Sequence, residues 1–292
     1  MDESGTILAR TRSGPSNPIL VGMDGSMEAL LQAAEKALAT AHLVPNDVRF
    51  ILGAVAGSGT AHNLAQLIGQ LEGKYRNAKA LIDSDAKMAL GATGETPSVV
   101  VIAGTGSVVY GETANEIAQE GGLGAVLGDP GSAYDIGRRA VVGEQRRLLD
   151  GEDSMLRDYV LAEFGGDWDD FLKEVRANPT RTLPRVFPLV ARAANDGNIA
   201  AQELLRSSAE ELVALTERVI KRLRLSWENF LLAKTGGVFG RSRYFDEAFD
   251  RGVRAAAPEA RVGSLPTPVA EYAAQVGLMM MRGMDEAETE GN

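Results

Sequence analysis

Two kinds of hydrophobic pattern alternate along this chain. Continuous apolar runs, which are typical of strands buried on both faces, each end at a loop that contains glycine. These runs span residues 48–55, 99–103 and 229–233. Between them apolar residues recur at helical spacing, and the segment from 132 to about 221 is nearly all helical. Strands that alternate with helices predict an α/β fold, in which ligands bind at the carboxyl ends of the strands.

Shorter elements complete the predicted order. The pattern predicts strands at 6–11 and 78–82 and a hairpin that joins 108–110 to 116–120. It also predicts a helix that begins at Ser26, since serine favours the N-cap position. Five loops then lie at strand ends, where a ligand would bind: 56–59, 83–85, 104–107, 121–132 and 236–237.

Two aspartates stand between the strand at 78–82 and the next helix. Asp85 lies where the helix opens, so its carboxylate is placed to accept a proton from a substrate hydroxyl as a general base. The same position suits an aspartate that only caps the helix, which stabilises it by about 1 kcal/mol. Asp83 is either that cap or a neighbouring like charge, and the pattern alone leaves these readings open.

Glycine-rich loops follow two of the buried strands. The loop 104–107 reads Gly-Thr-Gly-Ser, and such small residues let backbone N–H groups approach a phosphate closely. A single GxG also occurs in ordinary hairpin turns. The pair Gly236-Gly237 would let a flat ligand lie against the backbone, or would simply turn the chain into a helix.

Two loop residues have side chains suited to a sugar. Asp129 is a candidate for binding sugar hydroxyls or metal-bound water, or else a turn residue, and Pro130 biases it to extended geometry. Asn17 is able to donate to and accept from one ligand group, or to form a turn. Arg138 and Arg139 are expected on a solvated helix face.

Composition narrows the available chemistry. The 292 residues carry a net charge of −10, which disfavours non-specific binding to nucleic acid or to an anionic membrane. A phosphate site must therefore use backbone amides, helix N-termini and a metal ion rather than a basic patch. The chain has no cysteine, which excludes disulfides and thiolate metal sites, and its two histidines speak against a multi-histidine site. Without a secretory signal or a membrane-spanning apolar run, the expected location is the cytoplasm.

The order and spacing of these motifs resemble the N-acetylglucosamine kinase and BadF/BadG/BcrA/BcrD ATPase family, within the sugar kinase, hsp70 and actin superfamily. The resemblance extends over essentially the whole chain. Its longest motif is GGLGAVLGDPGSAYDIGRRAV at 121–141. The other motifs are GPSN at 14–17, SDA at 84–86, AGTGS at 103–107 and TGGV at 235–238.

The resemblance implies an α/β fold of two ribonuclease-H-like (actin-like ATPase) domains with an interdomain cleft that binds ATP and a sugar. The N-terminal domain would comprise 1–97 with the closing helix at 268–292, and the C-terminal domain 98–267 with a helical insertion. The implied reaction is phosphoryl transfer from ATP with Mg²⁺ to N-acetylglucosamine or glucosamine, at the 6-hydroxyl by analogy. A small-molecule sugar is then the expected partner, with no nucleic acid or membrane and with a homodimer as a candidate assembly.

Individual residues take roles by the same resemblance. Asp85 resembles the catalytic base, Asn17 and Asp129 resemble sugar ligands, and Gly122 and Gly124 shape the sugar loop. The residues implied to bind ATP are Gly104, Thr105, Gly106 and Ser107 in the second phosphate loop and Gly236 and Gly237 in the adenosine loop. No protein ligand of a metal is identified, and Mg²⁺ is expected to arrive with ATP.

Three departures from the family pattern stand out. The family's first strand and its DGGGT-like phosphate loop would lie before Met1. An upstream start, a shortened chain and a true loss of the loop are all open explanations, and a chain without this loop is expected to be a poor kinase. Leu123 stands where kinases often carry tryptophan, and Pro130 where an acidic residue is common, so the exact sugar is left open.

Three alternative functions compete with a sugar kinase. A dehydratase-activating ATPase would need cysteines for an iron–sulfur cluster between its subunits, and this chain has none. A non-catalytic member that binds sugar or nucleotide would fit a chain that lacks the first phosphate loop. A dehydrogenase is disfavoured because no GxGxxG follows a first strand with an acidic residue at the expected offset.

Overall fold

The computed structural model describes residues 1–57, 61–125 and 127–290, except the side chains of 19–20, 61–63 and 285–290. The helices are α1 Pro18–Ala41, α2 Ala61–Lys74, α3 Asp85–Gly91, α4 Ala133–Leu149, α5 Met155–Phe164, α6 Trp168–Ala177, α7 Pro179–Asn195, α8 Ile199–Arg222, α9 Arg243–Ala256 and α10 Val269–Glu290. The strands are β1 Phe50–Ala54, β2 Lys79–Asp83, β3 Ser98–Ala103, β4 Ser107–Glu112, β5 Ile117–Gly121, β6 Leu231–Thr235 and β7 Arg261–Ser264. Within these residues no helix is both long and apolar enough to cross a bilayer.

Contacts along the chain divide it into two compact units. The first unit comprises 1–92 with 266–292, and the second comprises 93–265. The domain boundaries predicted from the sequence lie after residue 97 and before residue 268.

The first unit is built on a small parallel sheet. Strands β1 and β2 pair in register, and every residue of β1 is only half-buried. Helix α2 packs against β2 and α10 against β1. The apolar core of this unit lies between α1, α2 and the sheet, and its fully buried residues include Leu67 and Tyr75.

The second unit contains a five-stranded mixed sheet in the order β5-β4-β3-β6-β7. Antiparallel pairing joins β5, β4 and β3, whereas β3, β6 and β7 are parallel. The central strand β3 is buried at all positions but Ile102, as expected for a strand covered on both faces. Because β3 and β6 run in parallel, their carboxyl ends reach the same edge of the sheet.

The structure confirms most of the predicted elements and corrects two. The predicted hairpin is β4 with β5, and the three apolar runs overlap β1, β3 and β6. Residues 6–11 form no strand, because Arg10 pairs instead with Glu271 and Thr11 donates to a backbone carbonyl of α1. Ser26 is not a helix N-cap: α1 begins at Pro18 with a break at Gly22, and the Ser26 hydroxyl donates to the Ser16 carbonyl (2.6 Å).

Candidate active site

The carboxyl ends of β1 and β2 meet at one edge of the first unit. Ala54 stands opposite Asp83 in the parallel ladder, so the loops that follow the two strands are neighbours. Asn17 reaches the loop after β1, since a Cβ on Gly57 would come within 2.2 Å of Asn17 Oδ1. This edge therefore carries Asn17 beside one strand end and Asp85 just beyond the other.

Ser84, rather than either aspartate, caps α3. Its Oγ accepts the N–H of Lys87 (3.2 Å), as an N-cap hydroxyl does. Asp83 has two other partners, the N–H of Ser84 (2.8 Å) and Lys87 Nζ (2.9 Å). Asp85 is therefore not the N-cap of α3, and its carboxylate instead accepts N–H groups of the first helical turn, those of Ala86 and of Asp85 itself.

Burial changes the acidity of Asp85. Partial burial raises the pKa of its carboxyl group because the charged form loses hydration, and hydrogen bonds from the backbone N–H groups of Ala86 and Asp85 itself oppose that shift. A carboxylate with a raised pKa is a stronger base than an ordinary aspartate. The side chain thus has the acid–base property that a proton acceptor needs.

Asp129 is the most constrained of the candidate residues. Its side chain is 5% exposed and its φ is +58°, a left-handed conformation that few non-glycine residues adopt. Oδ1 accepts the Gly124 N–H (3.3 Å), and Oδ2 lies where a Cβ on Gly106 would meet it at 2.4 Å. The expectation of extended geometry before Pro130 is therefore wrong, because the carboxylate is anchored among backbone amides of the surrounding loops.

The pKa of Asp129 also rises, for the same dominant reason as that of Asp85. Burial disfavours the carboxylate, and hydrogen bonds from backbone N–H groups, that of Gly124 first, partly restore it. These donors fix the carboxylate in one orientation.

The loop 104–107 joins β3 to β4 and is tied to the start of α4. The Ala133 N–H donates to Gly104 O (2.8 Å), and the Tyr134 N–H donates to Thr105 O (3.2 Å). The position of a Cβ on Gly104 has no atom within 4 Å, so the backbone there faces open space. The Gly104 N–H itself donates to Gly106 O (2.8 Å), so what this strand end offers a phosphate is close approach to the loop rather than the Gly104 amide.

The segment that follows β5, at 121–125 and 127–128, contains several glycines at positive φ. Gly122 (φ +71°) donates its N–H to Ser107 O (2.9 Å). Gly124 (φ +85°) accepts the Gly128 N–H at 2.9 Å, which closes the loop on itself. Ser107 Oγ then donates to Pro130 O (2.8 Å), so the phosphate-type loop and the Asp129 turn are joined directly.

The loop after β6 lies against the end of β3. Gly236 has φ +106°, and a Cβ there would come within 2.2 Å of Ala103 O. The same carbonyl accepts the Val238 N–H (2.9 Å). A Cβ on Gly237 would meet nothing within 4 Å. The pair therefore combines one glycine that the fold requires with one whose backbone is open.

Residues of α9 support this loop, and they are not among the residues predicted from the sequence. Both carboxylate oxygens of Asp246 lie within hydrogen-bond distance of the Gly240 N–H (3.2 and 3.1 Å). Lys234 Nζ pairs with Asp250 Oδ1 at 2.6 Å beneath the end of β6. Asp250 lies four residues after Asp246, so both carboxylates share a face of α9; this spacing is the signal that would have indicated them.

The structure corrects the expectation for Arg139. Arg138 is a solvated residue with its side chain 53% exposed, but the side chain of Arg139 is only 25% exposed. Arg139 donates to Ser207 Oγ (2.7 Å) and to Glu211 Oε1 (3.0 Å) of α8. The burial arises because α8 packs against α4 on that side.

The candidate residues thus fall into two groups. The first unit holds Asn17 and Asp85. The second unit brings together in one set of bonded loops Gly104, Thr105, Gly106, Ser107, Gly122, Gly124, Asp129, Gly236 and Gly237. Throughout the part of the chain that is described, no three acidic or histidine side chains cluster as a metal site.

A comparison with protein families identifies the lineage. The model of the BadF/BadG/BcrA/BcrD ATPase family matches residues 1–280. The chain belongs to this family.

Two relatives of this family member are named as sugar kinases. An N-acetylmuramic acid/N-acetylglucosamine kinase from Clostridium acetobutylicum is 26% identical, over 64% of this chain and 63% of the relative. An N-acetyl-D-glucosamine kinase from Dictyostelium discoideum is 27% identical, over 62% of this chain and 60% of the relative. The match therefore spans less than two thirds of the length of either relative.

Solved structures confirm the predicted actin-like α/β fold. A candidate N-acetylglucosamine kinase from Porphyromonas gingivalis has a TM-score of 0.70 at 21% identity, covering 94% of this BadF/BadG-type chain and 92% of its own. A second, from Chromobacterium violaceum, has a TM-score of 0.69 at 24% identity, covering 94% and 90%. A ROK family glucokinase from Streptomyces griseus, solved with glucose and AMPPNP, has a TM-score of 0.58 at 16% identity, covering 95% and 94%.

Proposed function

We propose that this chain is an ATP-dependent kinase that phosphorylates an amino sugar, N-acetylglucosamine or glucosamine, at the 6-hydroxyl. Asp85 of the first unit is the proposed base, with Asn17 as a sugar ligand. The second unit provides Asp129 as a further sugar ligand. We also assign the two units to the N- and C-terminal domains expected at 1–97 with 268–292 and at 98–267.

The observation that carries the proposal is the state of Asp85. Asp85 lies just beyond the carboxyl end of a strand, and Ser84 rather than Asp85 is the N-cap of α3. Burial raises the pKa of the Asp85 carboxyl group. An aspartate that is not the helix cap and has enhanced basicity is suited to orient a hydroxyl and accept its proton. Two relatives named as kinases of N-acetylated amino sugars support the same substrate class.

The glycine loops of the second unit fit a nucleotide. Gly104 and Gly237 both present backbone to open space at the adjacent ends of β3 and β6. Backbone amides in such loops bind phosphate without cationic side chains, which suits a chain with a net charge of −10. We therefore assign the 104–107 loop, with Thr105, to the phosphates of ATP and Gly236-Gly237 to its adenosine.

The proposed reaction is a simple displacement. The 6-hydroxyl oxygen of the sugar forms a bond to the γ-phosphorus of ATP as the bond from that phosphorus to the ADP oxygen breaks. Asp85 accepts the hydroxyl proton and returns it to solvent, and Asp129 holds the sugar in place through its hydroxyls. Mg²⁺ is expected to enter with ATP and to neutralise phosphate charge. Because the reaction consumes ATP, we place it in the cytoplasm.

Phosphorylation of defined sugars tests this proposal. The chain is incubated with Mg-ATP and, separately, N-acetylglucosamine, glucosamine, N-acetylmuramic acid and glucose, and products are identified by mass spectrometry and ³¹P NMR. We expect a 6-phosphorylated amino sugar, and none from glucose at comparable rate. Sugar binding without product would favour a non-catalytic binding protein. ATP hydrolysis that no sugar stimulates would contradict the proposal.

A further inference from the structure

The turn that carries Asp129 is supported on the side that faces α8. Gly131, two residues after Asp129, has φ +74°, and a Cβ there would come within 2.7 Å of Ser208 O. Its N–H donates to Asp135 Oδ2 (3.3 Å), and Asp135 is 7% exposed. Ser132 completes the link, because its Oγ accepts the Asp135 N–H (3.1 Å). Gly131 therefore places the turn against both the Asp135 carboxylate and the backbone of α8.

Arg139 lies beside that carboxylate, at ion-pair rather than hydrogen-bond distance, and is hydrogen-bonded to α8. Its Nη1 lies 3.7 Å from Asp135 Oδ2 and donates to Ser208 Oγ (3.2 Å) and Glu211 Oε1 (3.0 Å). Its Nη2 donates to Ser207 Oγ (2.7 Å). A planar guanidinium with partners on both nitrogens is held in one orientation, which a flexible cation would not achieve.

Arg138 provides an internal comparison on the same helix. Its Nη2 contacts Asp135 Oδ1 (2.9 Å), which is not the oxygen that accepts the Gly131 N–H. Its side chain is 53% exposed, whereas that of Arg139 is 25% exposed. The two arginines thus share a carboxylate and differ in whether they connect it to α8.

We propose that Arg139 is a positioning residue that fixes the Asp129 turn in the geometry in which it binds sugar. It acts through its hydrogen bonds to Ser207 and Ser208 of α8, against which Gly131 of the turn packs, rather than on the sugar itself. The inference rests on the proposed function, since it takes Asp129 as a sugar ligand. It adds a determinant of sugar affinity that lies in α4 and α8, away from the ligand loops.

The test compares Arg139→Gln with Arg138→Gln in the full chain. Because a misplacement of about 1 Å in a site can cost about 10²-fold, we expect the KM for the amino sugar to rise roughly tenfold in Arg139→Gln. The kcat at saturating sugar and the KM for ATP should stay within about twofold, and Arg138→Gln should match the wild type. A general loss of structure would instead lower kcat and raise both KM values. An unchanged sugar KM in Arg139→Gln, or equal effects of the two variants, would overturn the proposal.

Hydrogen exchange gives a second measurement that needs no sugar. Backbone amides of 127–132 should exchange faster in Arg139→Gln than in Arg138→Gln, at equal melting temperature or after correction for it. Equal exchange in the two variants would overturn the positioning role even if the wild type phosphorylates sugar. If the wild type binds no sugar, the proposed function fails while faster exchange in Arg139→Gln still shows that Arg139 holds the turn.

Discussion

Asp85 and Asp129 are both carboxyl groups whose pKa is raised by burial, yet their surroundings differ. Asp129 is 5% exposed, adopts a left-handed backbone and is anchored by N–H groups of the loop that contains Gly124. Asp85 is half-buried in the first turn of a seven-residue helix, and Ser84 caps that helix in its place.

This difference suits the two carboxylates to different roles, ligand binding and proton transfer. A carboxylate held by several fixed donors is preorganised to receive ligand hydroxyls, and little reorganisation is needed on binding. A carboxylate with enhanced basicity that does not cap its helix is suited to accept a proton. Under the proposed function, affinity for the sugar is therefore expected to depend on Asp129 and turnover on Asp85.

The largest effect is expected from Asp85→Asn. Removing a general base typically costs 10²–10⁴-fold, so kcat should fall by about that factor while the KM for the sugar changes little. The control is Asp83→Asn, which removes an exposed ion pair with Lys87 worth about 0–1 kcal/mol and should leave kcat near that of the wild type. Steady-state kinetics of both variants decides the matter, and equal losses would place the chemistry elsewhere.

The pH dependence of the wild type should reveal the same group. Protonated Asp85 cannot accept a proton, so kcat/KM should fall on the acid side with an apparent pKa above the ordinary aspartate value of 3.8. Burial raises the folded-state pKa, so Asp85 stabilises the fold only when protonated, and this contribution is lost as pH rises through that pKa. Asp85→Asn should consequently melt no lower than the wild type at pH 7, and a clearly lower melting temperature would speak for a structural role.

Asp129→Asn should weaken sugar binding by about 10- to 100-fold, because hydrogen bonds to a charged acceptor contribute about 1.5–3 kcal/mol. The KM for ATP should stay close to the wild-type value. Kinetics at varied sugar and fixed ATP, and the reverse, separate the two affinities. A variant with normal sugar KM and reduced kcat would reverse the roles assigned to the two aspartates.

The smallest effects concern the nucleotide loop, where neighbouring glycines differ. Gly236→Ala should destabilise the chain by about 1–3 kcal/mol, since φ is +106° and the new Cβ would meet Ala103 O at 2.2 Å. Gly237→Ala has open space and should leave the melting temperature unchanged while it weakens ATP binding. Thermal unfolding and nucleotide titration of both variants test this contrast, and an equal loss of stability would refute it.

The sequence predicted the fold where burial alone determines structure. The run at 99–103 is apolar throughout because β3 is buried along nearly its whole length, and an unbroken apolar run is not the pattern of a polar loop. The strand expected at 6–11 failed because its residues bond to α1 and α10 instead of to another strand. The hydrophobic pattern predicts which residues are buried, but it does not predict which partner a polar side chain will bind.

The same limit applies to the candidate site. The motifs indicated Asp85 and Asp129, but the choice of Ser84 as the cap depends on one hydroxyl-to-amide bond that spacing does not determine. The left-handed φ of Asp129 arises from contacts with loops at 104–107 and 121–128, which are adjacent only in the folded chain. The pattern predicts a solvated Arg139, because its partners on α8 lie about 70 residues away in sequence and are not evident from local spacing.

The most direct test of the division between the two aspartates is calorimetric titration of N-acetylglucosamine into the wild type, Asp85→Asn and Asp129→Asn. The account predicts that the wild type and Asp85→Asn bind the sugar with similar affinity and that Asp129→Asn binds it at least about tenfold more weakly. Equal affinity in all three proteins, or loss of binding in Asp85→Asn with binding kept in Asp129→Asn, would contradict it.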